Sequence, residues 1–121
     1  MTKMTLNDLN AALRTIPGFD KKIAYRAFPV GKAPKLPFIC YQCTQTDNFF
    51  ADGQTWQVIQ GIDIELYTAK KDMESEQKVE SKLAELGLGW EKYEDYIDSE
   101  NCYMITYSTE IEITENIIIT T

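Results

Sequence analysis

Apolar residues recur at two spacings along this chain, and the change from one to the other marks its elements. Leu6, Leu9, Leu13 and Ile16 repeat at helical spacing. Thr5 precedes them, with Asp8 three positions on, so a capping-box variant opens a helix that Pro17-Gly18 ends. Weak alternation of Ile23, Tyr25 and Ala27 predicts a short strand over Lys22 to Phe28. Pro29, Pro34 and Pro37 each remove a backbone donor and fix φ, so Pro29 to Pro37 is expected as an extended loop outside any sheet interior.

Phe38 to Gln45 resumes as a strand, and the turn residues of Asp47 to Gly53 join it to a long strand from Thr55 to Tyr67. The two form a hairpin with Phe49 and Phe50 at its tip. In the long strand Trp56, Val58, Ile62, Ile64 and Leu66 share one parity, while Gln57, Asp63, Glu65 and Tyr67 share the other. One face is core and the other wet. Gly61 interrupts the run, which marks a bulge or the close approach of another chain.

Asp72 can cap a second helix whose apolar stripe is Met73, Val79, Leu83 and Leu86, with Glu74, Glu76, Lys78, Glu80 and Lys82 on solvated positions and Gly87 as its stop. Strand-forming residues return from Trp90 to Ile97 and from Cys102 to Ile113, with Asp98 to Asn101 as the turn between them. In the last strand Tyr103, Ile105, Tyr107, Ile111 and Ile113 fall on one face, which places it inside the sheet. The order is α-β-β-β-α-β-β. A helix between hairpin-like units predicts an α+β fold: a mainly antiparallel sheet with two helices packed on one face.

The length of 121 residues fits a single domain over the whole chain. Net charge is −7 and the basic residues are scattered, so sequence-specific nucleic-acid binding is not expected. A surface past which DNA slides without sticking is compatible with that charge. No apolar run is long enough for a membrane span, and the first residues lack a signal-peptide core, so the expected setting is the cytosol, with no membrane partner and three reduced cysteines.

Cys40 and Cys43 have the C-x-x-C spacing of redox and zinc sites. Residues three apart in a strand point to opposite faces, however, and a structural zinc needs four Cys or His ligands in a chain with no histidine. The absence of histidine also removes the commonest neutral-pH general base. Asp63 with Glu65, or Glu91 with Glu94 and Asp95, could be drawn as a paired-carboxylate or metal site, but their spacing fits a solvated face better. No phosphate-loop, dinucleotide or hydrolase-elbow motif occurs. No catalytic residue, metal or cofactor is therefore expected.

Aromatic residues stand out instead: Phe49-Phe50 on a loop tip, and Tyr93, Tyr96 and Tyr103 around one hairpin. Such residues anchor protein interfaces. Ordinary cross-strand packing is the competing reading for the tyrosines, and folding back over the sheet is the competing reading for the phenylalanines.

Asn48-Phe49-Phe50-Ala51-Asp52, Ile62 to Thr68, Lys70-Lys71-Asp72, Tyr93 to Glu100 and Tyr103 to Tyr107 together resemble small tail-completion proteins of siphophages and Gram-positive prophages, also described as tail terminators or head-to-tail joining proteins. The resemblance covers about Pro37 to Ile113; Gln54 to Gln60 and the cysteines are not part of it.

It implies a structural virion component that acts as a ring, commonly a hexamer, capping the tail tube and presenting a surface to the head connector. The implied partners are copies of the same chain, the tail-tube protein and the head connector protein. The implied location is the tail-head junction of the virion, reached from the host cytoplasm. A domain of this size has a radius of gyration of ~14 Å, so six in a closed ring enclose a hole about one subunit wide. Under this reading Phe49, Phe50 and Asp52 would contact a partner, and Ile117, Ile118 and Ile119 would add to a neighbour's sheet edge. Asp63, Glu65, Glu91 and Glu94 would form an acidic lumen. The alternatives are a head-completion or minor tail protein, or a small cytosolic enzyme that uses carboxylates.

Overall fold

The computed structural model describes residues 2–47, 49–51 and 54–113. Its architecture is α+β: two helices on a curled, mixed sheet of six strands, with a separate two-stranded ribbon. In chain order the elements are β1 (Lys3–Met4), α1 (Leu6–Arg14), β2 (Ile23–Tyr25), β3 (Phe38–Thr46), β4 (Phe49–Ala51), β5 (Gln54–Gln57), β6 (Ile59–Thr68), α2 (Met73–Glu85), β7 (Glu91–Ile97) and β8 (Cys102–Ile113). No helix among the described residues is long and apolar enough to cross a membrane.

Both helix starts follow from their caps. Thr5 and Asp8 exchange side-chain-to-backbone bonds of 3.0 and 3.1 Å at the head of α1, and Asp72 accepts from the Ser75 N–H at 3.0 Å at the head of α2. Gly87 closes α2 at φ 75°, a conformation that only glycine adopts without strain.

β8 lies inside the sheet, as its patterning predicts. It pairs antiparallel with β6 on one side and, on the other, antiparallel with β7 and parallel with β1. β6 in turn pairs antiparallel with β3, whose outer neighbour β2 runs parallel. The expectation of a mainly antiparallel sheet is thus corrected to a mixed one. β2 is joined to β3 by the proline-rich stretch 26–37, which returns to the start of β3 without a helix and so leaves the two strands parallel. β1 adds a strand ahead of the predicted order, and the long strand is two: β5 and β6 are separated at Val58.

The break lets β5 pair with β4 as its own ribbon, with Phe50 opposite Thr55. A loop was expected there. Gly61 marks a bulge, as its position suggests, but the close approach comes from within the chain. The β3 register shifts between Cys43 and Thr46, and a Cβ on Gly61 would strike Thr44 Oγ1 and stand 2.9 Å from the Gln45 carbonyl oxygen.

One sheet face and both helices make a single core. Leu9 and Leu13 of α1 and Val79 and Leu83 of α2 pack with Ile39, Ile62, Ile64, Leu66, Ile105, Tyr107 and Ile111. Each fully buried aliphatic side chain of this kind contributes about 1.5–3 kcal/mol by leaving water. Two α2 assignments are corrected. Met73 is 64% exposed and outside the stripe, whereas Glu76 is buried beneath the helix.

Candidate interaction surface

The face of the sheet turned away from the helices carries the other parity of each strand. Strand register aligns its residues in rows. Glu91 on β7, Ser108 on β8, Asp63 on β6 and Gln42 on β3 form one row; Tyr93, Thr106, Glu65 and Cys40 form the next. Asp95 and Glu110 share the same face by alternation. The strands β3, β6, β7 and β8 place no lysine or arginine there.

Hydrogen bonds hold these acids in position. Ser108 Oγ donates to Asp63 at 2.7 Å, Tyr67 O–H donates to Glu65 at 3.0 Å, and Gln42 donates to the other Glu65 oxygen at 3.2 Å. Burial pushes the Glu65 carboxyl above its ordinary range and neighbouring Asp63 adds to this, against the lowering effect of the bonds from Tyr67 and Gln42. Tyr93 O–H donates to Glu91 at 3.1 Å, which raises the phenol.

Two depressions lie on this side. A polar trough of about 710 Å³ at the bulged end is lined by Asp47, Asp63, Glu91 and Glu110 together with Thr44 and Trp90. At the other end residues 26–37 cross the sheet, with Phe28 edge-on to Phe38 at 5.2 Å. Beneath them runs an apolar groove of about 320 Å³, flanked by Arg26 and Glu100. Cys40 lines it, and burial pushes its thiol up to about 11.

Of the four acids assigned to a lumen, the fold brings Asp63, Glu65 and Glu91 together. Glu94 is not with them. It faces the helix side, where Lys71 Nζ stands 2.5 Å from its carboxylate. Phe49 and Phe50 lie in β4 of the ribbon. Asp52, Ile117, Ile118 and Ile119 are outside the described residues. Cys40 and Cys43 occupy opposite faces of β3, Cys40 in the groove and Cys43 against the core. Among the described residues no group of three or more Cys, Asp or Glu side chains is arranged to hold a metal ion.

An ion network on the helix side has no counterpart in the sequence pattern. Glu76, 2% exposed at its side chain, is met at 2.8 Å by Lys71 on one oxygen and at 2.8 Å by Lys92 on the other. Lys92 also stands 2.7 Å from Glu80, which accepts from Tyr107 O–H at 2.8 Å. Burial pushes Glu76 up, but the two ammonium groups outweigh it and hold the carboxyl below its ordinary range. The network ties α2 to β7 and fixes which face of that strand is outward.

No protein-family model matches the chain, and no curated protein matches it.

Proposed function

We propose that this protein is a structural component of a phage or prophage virion that caps the tail tube and joins it to the head connector, working as a ring and without catalysis. The observation that carries the reading is the sheet face of Asp63, Glu65, Glu91 and Glu110, acidic across three strands that place no lysine or arginine on that face. A wall of that kind repels a DNA backbone instead of binding it. A passage for DNA needs that property. The resemblance to tail-completion proteins supplies the setting, and the β4–β5 ribbon that carries Phe49 and Phe50 is the candidate contact with the tube protein or a neighbouring subunit.

Size-exclusion chromatography with light scattering, on the protein alone and mixed with the tail-tube protein encoded near it, tests the proposal. The expected result is a complex that halts tube growth. Tubes that elongate unchanged in its presence would overturn the tail-capping role.

A further inference from the structure

The strands β2 and β7, at opposite sides of the sheet, lie in stretches of opposite charge. Between Leu9 and Thr46 the chain has six basic residues and one acid, Asp20. That stretch supplies β2, the strand at one edge. Residues 91–101 have five acids and one base, and they supply β7 at the other edge. Four strand spacings of about 4.8 Å separate β2 from β7, or ~19 Å.

Part of this charge is left unspent within the molecule. Lys92, the one base on β7, turns inward to Glu76 and Glu80. Glu94 is held by Lys71. Asp95, Asp98 and Lys21 are exposed and Lys22, beside β2, is half-buried; among the described residues none of the four has an ion-pair partner.

Each edge also exposes aromatic surface. Tyr25 on β2 is 47% exposed, and Tyr93 and Tyr96 on β7 are 52% and 48% exposed. Tyrosine is favoured where a surface is to be covered by protein. Strand addition is not how β2 would be covered. Its Ile23 carbonyl already accepts from Arg14 at 3.1 Å, and its Tyr25 carbonyl accepts from the Ala27 N–H at 2.7 Å. Side chains are what this edge offers.

We infer that the β7 edge of one copy, with Asp95, Asp98, Tyr93 and Tyr96, docks against the β2 edge of the next, with Lys21, Lys22 and Tyr25. A contact between two different patches of the same chain is head-to-tail, and such a contact closes a ring when the rotation between neighbours divides a full turn. The inference deepens the ring reading above and rests on it for its biological setting. It adds which surfaces meet.

Two double variants test it, in sedimentation of concentrated protein at low and at high ionic strength. D95K/D98K makes both edges basic, and K21E/K22E makes both acidic. The wild type is expected to self-associate at low salt and to dissociate at high salt, and each variant alone to lose about ten-fold or more in association. An equal mixture is expected to regain it, because every junction again joins a basic edge to an acidic one. One variant raises the net charge and the other lowers it, so a general charge effect would move them in opposite directions.

A wild type that keeps the mass of one chain under all conditions overturns the inference. So does association that either variant retains, which would place the contact elsewhere or make it two-fold through β7 alone. The assay contains no tube protein, so loss of this interface with tube capping intact would leave the proposed function standing.

Discussion

Lys92 reaches from the edge strand β7 to Glu76 on α2, its Nζ 2.8 Å from an oxygen of a carboxylate that is 2% exposed. Lys71 meets the second oxygen from the loop before the helix, also at 2.8 Å. One buried charge therefore holds three separate segments.

Replacing Glu76 by glutamine keeps the volume and removes the charge. Lys71 retains Glu94 and Lys92 retains Glu80, and both lysines reach solvent, so the loss falls below that of stranding a buried ion. A loss of about 2 kcal/mol is expected, read as a lower urea midpoint with an unchanged slope. The pH dependence has a definite sign. The native carboxyl is held below its ordinary range, so the unfolded chain binds the extra proton. The stability it provides is present above about pH 4.3 and is lost as pH falls through the native value. E76Q should flatten the acid limb of the stability profile; a limb as steep as wild type would assign that limb to other carboxylates.

Among the described glycines, Gly61 is the one where two strands come too close for a Cβ. Alanine there would meet Thr44 Oγ1, which can rotate, and the Gln45 carbonyl oxygen at 2.9 Å, which is backbone and cannot. G61A is expected to cost about 2 kcal/mol in urea unfolding, and adding T44A should restore only part of it. Full restoration would mean that the hydroxyl alone sets the spacing.

Most of the fold is legible from local patterning because local physics decides it. The caps at Thr5 and Asp72, the alternation of Ile62, Ile64 and Leu66, and the Gly87 stop all act within a few residues of themselves. What escaped depends on residues far apart in sequence. Glu76 reads as a solvated helix position because the lysine that most distinguishes its setting, Lys92, lies beyond the end of the helix. Parallel pairing of β2 with β3 is set by how residues 26–37 return, and no alternation of three residues reports it. The acidic face was legible for Asp63 and Glu65, which share a strand. Glu94 was misplaced because a parity on β7 says nothing until β8 fixes its register: Glu94 pairs with the core residue Ile105, whereas Glu91 pairs with Ser108.

That register also decides how the acidic face is tested. Glu91, Ser108 and Asp63 lie side by side across three strands, so lysines at positions 91 and 63 would put two positive charges on one patch, 45 residues being spanned by the Ser108–Asp63 bond alone. D63K/E91K is expected to bind duplex DNA where the wild type does not. Two new phosphate contacts give a slope of log affinity against log salt of about −2. Electrophoretic retardation over a salt series measures this. Retardation by the wild type at moderate salt would mean that a basic surface elsewhere outweighs the face, and would count against the proposed DNA passage. A double variant that still ignores DNA would count against this face as a surface that a duplex can reach.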